Sequence, residues 1–294
     1  MELLQLRRFV AVAEQRNISK AARELSISQP ALSRSVHALE EEVGTALFLR
    51  TAQGLNLTKA GSVLLRQARE MLAIETRALQ EIISVANEEY TIQIIVRCIE
   101  KFLMDVLNTY LSLHPHISFS ILQNDDIALQ KQQYDLIIAG PLSDETGFTR
   151  HKLLTERILC ALPQEHVFAT QEQLTLEQFK SFSLIQFGGR RQIQWFMKYQ
   201  MLERGIDLTP KIICDDVRTG CNLVASGLGV LLIPEYAIDI QVTPKICLLP
   251  VEGLEISRDA FLYRRASVRL PDQVEHFAHF VISYFKKLGL SDPS

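Results

Sequence analysis

The sequence predicts an α/β protein that opens with an all-α winged helix-turn-helix, continues through one long helix and ends in a region of two α/β units. Three observations carry this reading. Two short amphipathic helices meet in a tight corner over residues 19–40, helical periodicity then runs from Thr58 to about Glu88, and beyond Tyr90 apolar strands alternate with helices. A chain of 294 residues, 47% of them hydrophobic, can bury more than one core.

Taken in order, Leu3, Leu6, Phe9, Val10 and Ala13 recur at helical spacing and predict a buttressing helix over 3–15. Ser19 reads as the N-cap of a second helix that turns Ala22 and Leu25 inward and Lys20, Arg23 and Glu24 outward. Ser26, Ile27 and Ser28 make the corner, and Pro30 suits the first turn of a third helix, where its missing N–H costs nothing. Ala31, Leu32, Val36 and Leu39 then face the core, whereas Gln29, Ser33, Arg34 and His37 project. That projecting set is rich in hydrogen-bonding groups and nearly free of negative charge, as a helix entering a DNA major groove requires. Glu40, Glu41 and Glu42 follow only after it, and are expected to sit away from the phosphates. The runs 47–50 and 55–57 read as short strands around Thr51-Ala52-Gln53-Gly54, a hairpin wing.

Thr58 is the expected N-cap of the long helix. Leu64, Ala68, Met71, Leu72, Leu79, Ile82, Ile83 and Ala86 recur at steps of three and four between charged residues. At 1.5 Å per residue such a helix extends roughly 45 Å, too far for a sixty-residue domain to cover. It either lies across the following domain or pairs with a second copy.

Beyond Tyr90 the sequence predicts strands at 92–96, 117–122 and 135–140 with a helix over 101–113, then strands at 182–187, 211–214 and 229–233 with helices over 192–204 and 217–226. Further strands at 245–249 and 258–263 and a helix over 272–288 complete the chain. Strand, helix, strand order with continuous apolar strands predicts two open parallel sheets covered on both faces. Gly227 can end its helix in a left-handed conformation and Gly229 permits a tight approach to the next strand. This G-x-G follows a helix and lacks a third glycine, so it is no dinucleotide loop.

The N-terminal block resembles the DNA-binding domain of LysR-type transcriptional regulators. The resemblance rests on Leu6-Arg7-Arg8-Phe9, Ala11-Val12-Ala13-Glu14, Ser19-Lys20-Ala21-Ala22, Leu25, Ser28-Gln29-Pro30-Ala31-Leu32-Ser33, Leu39-Glu40, Gly44-Thr45-Ala46-Leu47-Phe48, Arg50 and Leu57-Thr58-Lys59-Ala60-Gly61. Later, Leu223-Val224-Ala225-Ser226-Gly227-Leu228-Gly229-Val230 with Ile233-Pro234 is similar to the two-lobed, periplasmic-binding-protein-like effector domain of the same family. The resemblance implies a DNA-binding domain over 1–58, a linker and dimerisation helix over 59–89 and an effector domain over 90–294. Lobe I would span about 90–160 and 265–294, and lobe II about 161–264. It also implies double-stranded DNA, a small-molecule effector, RNA polymerase and further copies of the chain, as homodimer or homotetramer, for partners. Gln29, Pro30, Ser33, Arg34 and His37 would approach bases, and Ser19, Lys20, Arg50 and Thr58 the backbone. Near Gln53 the family usually carries a basic wing residue; the amide here weakens attraction to the minor groove.

Open α/β sheets bind ligands beyond the carboxyl ends of their strands. Those positions are Cys98, Ile99 and Glu100; Asn124 and Asp125; Gly140 and Pro141; Gly188, Gly189 and Arg190; and Arg218 and Thr219. Many family members place Ser or Thr at the first of them to hold an effector carboxylate, whereas Cys98-Ile99-Glu100-Lys101 offers no hydroxyl and adds an acid. Arg190, Arg191 or Arg218 could still receive an anion.

Net charge is −3, but residues 1–60 hold eight Lys/Arg against six Glu, so positive charge is biased to the N-terminal end. The five cysteines form no C-x-x-C pair and no zinc-ligand spacing. Cys98 at a helix start, or Cys214 with Cys221, suggests a redox- or electrophile-sensing alternative. No nucleophile elbow, H-E-x-x-H or Walker A sequence occurs, so no catalysis and no cofactor are expected. Neither a signal-peptide pattern nor a twenty-residue apolar run is present, which predicts a cytoplasmic protein. A solute-binding module without DNA function is the rival class; it would show no salt-dependent DNA affinity.

Overall fold

A computed structural model describes residues 1–51, 54–87, 90–123, 129, 133–188, 192–206, 209–238 and 245–290. The chain divides into two compact units, with the division at Tyr90.

The first unit is built on α1 (Leu3–Gln15), α2 (Ile18–Glu24) and α3 (Gln29–Val43), followed by β1 (Phe48–Thr51), β2 (Gly54–Leu57) and α4 (Lys59–Asn87). Leu6, Phe9, Val12, Leu32, Leu39 and Ala68 are fully buried, and the Phe9 and Phe48 rings meet at 5.3 Å. The capping residue of α2 is Asn17, whose Oδ1 accepts the Lys20 amide at 3.0 Å, and not Ser19 as the sequence suggested. Both are cap-type residues; Ser19 instead donates to the Gln29 side-chain oxygen at 2.9 Å, a contact between helices that local spacing cannot reveal. Asn17→Ala should therefore cost about 1 kcal/mol, read as a lower midpoint in urea, whereas Ser19→Ala leaves the cap intact. Ser28 caps α3 and Gly44 closes it at φ +70°.

β1 and β2 pair antiparallel, Phe48 opposite Leu57. Glu40 supports them from α3, its Oε1 accepting the Leu47 and Phe48 amides at 2.8 and 3.1 Å. Thr58 caps α4, accepting the Gly61 amide at 2.9 Å while donating to the Ala46 carbonyl at 2.9 Å. The first turns of α4 pack on α1, fastened by Arg7–Glu75 at 2.7 Å and Arg69–Glu14 at 3.1 Å. On the same helix Met71, Ile74, Leu79 and Ile82 stay exposed.

The second unit begins with β3 (Tyr90–Val96), α5 (Glu100–Leu113), β4 (Ile117–Gln123), β5 (Leu136–Ala139) and β6 (Phe148–Pro163). It continues with α6 (Leu176–Ser181), β7 (Leu184–Phe187), α7 (Gln192–Glu203), β8 (Ile212–Cys214), α8 (Val217–Ala225) and β9 (Val230–Pro234), and closes with β10 (Ile246–Leu249), β11 (Ser257–Arg265) and α9 (Asp272–Lys287). Each lobe keeps a parallel core: β4–β3–β5 in the first, β9–β7–β8 in the second.

The expectation of two separate parallel sheets needs correction. The strands form one nine-stranded sheet, eight of them in a single path with β10 beside it on β6, and β6 runs through both lobes. Its residues 148–157 pair antiparallel with β11, and 158–163 pair with β9 and β10. β11 pairs on its other side with β5, so it belongs to lobe I, and the chain returns there near Ile256, not after residue 264. Apolar periodicity missed β6 because its first half, Phe148 to Arg157, is a ribbon studded with exposed polar residues.

Lobe I is filled by Ile92, Ile94, Val96, Tyr110, Phe277, Val281 and Phe285. His114 stacks here on Tyr110 and His276, with ring centroids at 4.4 and 4.9 Å, in a packing role at the end of α5. In lobe II, alternation along the strands separates two cores: Leu184, Met197, Met201 and Leu232 on one face, Ile185, Phe187, Cys214 and Val224 on the other. Gly227 ends α8 at φ +74°, and a Cβ on Gly229 would meet the Ser183 carbonyl oxygen at 2.3 Å. Among the described residues no helix is long and apolar enough to cross a membrane.

Candidate functional site

The first unit presents α3 as its most polar exposed face. Leu32, Val36 and Leu39 anchor the helix inward, leaving Gln29, Pro30, Arg34 and His37 exposed and Ser33 half-buried. Lys20 is exposed on α2, and the Ser19–Gln29 bond ties the two helices together at the start of the projecting face. The bond restrains the Gln29 amide on the exposed side of the helix. Arg34 has no ion pair among the described residues, so its guanidinium is available for a bidentate contact.

One expectation changes here. Glu41 lies 3.4 Å from His37 Nε2, so one of the glutamates expected to sit apart reaches the edge of the projecting face. Thr58 is the cap that the sequence predicts, its hydroxyl bonded to the Gly61 amide and the Ala46 carbonyl. Arg50 stands in β1 opposite Leu55, but its side chain, like all of Gln53, lies outside the described residues.

In the second unit, the ends of β3 and β5 bring Cys98, Ile99, Glu100 and Gly140 to one region at the foot of lobe I. Ile99 adopts φ +56° as it leads into α5, an unusual conformation for a β-branched residue that costs about 1–3 kcal/mol. Glu100 falls in the first turn of α5. Tyr236, just after β9 of lobe II, covers this corner: its carbonyl accepts the Lys101 amide at 3.4 Å and its ring meets Phe102 at 5.0 Å.

Beneath lies a buried ion pair that the sequence did not disclose. Glu156 on β6 is fully buried, and its Oε1 receives Arg258 Nε at 2.7 Å and Nη2 at 2.6 Å from β11. The other oxygen accepts the Tyr236 amide at 3.4 Å. Burial raises the Glu156 carboxyl above its ordinary range, opposed chiefly by Arg258. Gly140 lies beside this pair: a Cβ there would stand 3.9 Å from the Arg258 side chain, in ordinary van der Waals contact. No local pattern announced the pair, since its two residues stand 102 apart in sequence.

The remaining cleft residues divide. Pro141 is exposed, Gly188 packs closely on Ile213 and Asp215, and Arg218 and Thr219 are exposed at the start of α8, whose cap Asp216 accepts the Thr219 amide at 2.8 Å. Asn124, Asp125, Gly189, Arg190 and Arg191 lie outside the described residues. Cys98 is buried beside the ion pair, and burial pushes its thiol up. Cys221, also buried, is pushed up to about 11, mainly by burial and further by Cys214 and Asp216. Reactive thiols need the opposite environment, partly exposed and electropositive.

A helix-turn-helix with a wing, followed by a two-lobed α/β domain, is the architecture of a ligand-responsive DNA-binding regulator. Family comparison agrees in both halves: residues 3–62 match the bacterial regulatory helix-turn-helix protein, lysR family, and residues 86–286 match the LysR substrate binding domain. The chain belongs to the LysR family of transcriptional regulators. It is 31% identical to the HTH-type transcriptional regulator TfdS of Cupriavidus pinatubonensis over 82% of this chain and 85% of the relative. It is 27% identical to the uncharacterized HTH-type transcriptional regulator YybE of Bacillus subtilis over 98% of this chain and 100% of that one. In fold it is similar to full-length CbnR complexed with the target DNA, with a TM-score of 0.55 at 20% identity over 97% of this chain and 100% of that chain. A full-length OxyR variant from Pseudomonas aeruginosa gives 0.61 at 22% identity over 97% and 95%.

Proposed function

We propose that this regulator acts in the cytoplasm as a homodimer or homotetramer, with residues 1–58 reading the operator, the helix over 59–89 pairing copies and residues 90–294 sensing a small effector. The observation that carries the DNA assignment is the face of α3, where Gln29, Pro30, Ser33, Arg34 and His37 gather donors and a cation with no carboxylate in the first two turns. Lys20 and Arg50 supply phosphate contacts, and Ser19 positions Gln29. The apolar stripe Met71, Ile74, Leu79 and Ile82 supports pairing through α4, since a lone helix would leave it in water. Two copies double the phosphate contacts that a modest positive bias needs.

The effector would sit against Cys98, Ile99, Glu100 and Gly140, within reach of Arg258, with Pro141, Gly188, Asn124, Arg190, Arg218 and Thr219 as further walls. Closing on it biases the strained Ile99 turn and the Tyr236 cover, and so the spacing of the reading helices. RNA polymerase is the downstream partner, and no step of this requires catalysis.

Selection of genomic fragments by the purified protein at two salt concentrations tests the assignment. An inverted repeat should be enriched, and Arg34→Ala should bind it about ten- to a hundredfold more weakly with the oligomer unchanged, from ~1–3 kcal/mol per lost base contact. Retention that is equal for all fragments, or full-strength binding by Arg34→Ala, would sink the assignment.

A further inference from the structure

We infer that lobe II carries a second binding site, between β7 and α7, for a small amphiphilic anion: an apolar body with one carboxylate-like headgroup. A cavity of about 320 Å³ opens there, within the size range of small-ligand pockets. Its walls are apolar. Leu184 and Leu232 come from the strands, and Met197 with Met201, one turn apart on α7, closes the opposite side. Unbranched thioethers re-pack readily, which suits a slot that accepts a flexible or flat body.

Three polar side chains join the described lining: Gln186, Lys198 and Thr209. Gln186 repeats the inward direction of Leu184 two residues along β7, so an amide stands on a wall that is otherwise core. It is half-buried, and its side chain has no hydrogen bond among the described residues, which leaves the amide open to a ligand. At the rim, Lys198 follows Met197 on α7 and is exposed, with no ion pair among the described residues. Among the described residues the lining contains no carboxylate. An apolar slot whose described polar groups are an amide, a hydroxyl and one cation at its mouth favours a monoanion with a hydrophobic tail over a cation or a polyanion. The slot lies on the α7 face of the lobe II sheet, apart from the region around Cys98 and Gly140.

The chain has only five methionines, which makes the test direct: Met1, Met71, Met104, Met197 and Met201. Full-length protein labelled with ¹³C at the methionine methyls would be titrated with sodium decanoate below its micelle concentration. Met197 and Met201 should shift saturably while Met1, Met71 and Met104 hold still. Lys198→Glu should weaken binding about tenfold while leaving the unliganded Met197 and Met201 signals in place, and decanol, which lacks the charge, should bind more weakly than decanoate. Shifts in Met104 alone, uniform shifts of all five signals, or none that saturate would overturn the site. Undiminished affinity in Lys198→Glu would overturn the anionic headgroup.

Discussion

Arg258→Met should lower the stability of the effector domain by about 3–5 kcal/mol, because it strands the Glu156 carboxylate in a fully buried position. The double variant Glu156→Leu/Arg258→Met should recover most of that loss, since a buried pair replaced by apolar side chains is commonly neutral or better. Urea unfolding followed by circular dichroism of all three chains checks both statements; equal loss in the single and double variants would deny that the charges are coupled. The loss in Arg258→Met should also depend on pH in a stated direction. The folded carboxyl already binds its proton above the ordinary range, and removing its main cation raises it further. A raised carboxyl favours the folded state most below its unfolded pKa and loses that contribution as pH rises through the folded value. The variant should therefore lie closer to the parent protein at pH 5 than at pH 7. Effector response should fail in the double variant even though it folds, because the guanidinium beside Gly140 is gone.

Gly61→Ala should destabilise the first unit by about 3 kcal/mol, at the upper end of overpacking costs. On helix propensity alone the exchange would stabilise by about 1 kcal/mol. Here a Cβ would stand 2.1 Å from the Leu47 carbonyl oxygen and 2.9 Å from a Leu57 methyl, and that carbonyl already accepts the Thr58 amide at 2.9 Å. Neither neighbour can retreat without breaking the seam between wing and α4. Calorimetry should show an early transition for the first unit with the second unchanged, and operator binding should vanish with it. A normal melt in this variant would mean that the seam yields more easily than its geometry allows.

Much of the first unit was legible because its signals are local. Pro30 after Ser28, the spacing of Leu32, Val36 and Leu39, and the hydrophobic steps from Leu64 onward each lie within one element, and the resulting helices fall where the sequence puts them. The choice between Asn17 and Ser19 as cap was not local, being decided by Gln29 ten residues on. In the second unit the parallel strands and the Gly227–Gly229 turn could be read, since continuous apolar runs and left-handed glycines carry their own reasons. β6 could not, because half of it serves one lobe as an irregularly polar ribbon and half serves the other as buried core. The Glu156–Arg258 pair joins residues on strands far apart in sequence, and no spacing rule reaches that distance. The Gln186 amide is likewise ordinary in sequence and unusual only once its strand faces Met197 and Met201.

The path of β6 also orders events during synthesis. Ser257 opposes Arg157 and Arg265 opposes Phe148, so the strand that fills the middle of lobe I leaves the ribosome about a hundred residues after the strand it must join. Lobe II lies wholly between them and has its own two cores, so it can condense while lobe I still waits for β11 and α9. Until they arrive, β5 and the first half of β6 present unpaired edges to any neighbouring nascent chain. A nonsense mutation near codon 256 should consequently yield a folded lobe II carrying an open lobe I, a product bound for aggregation or proteolysis.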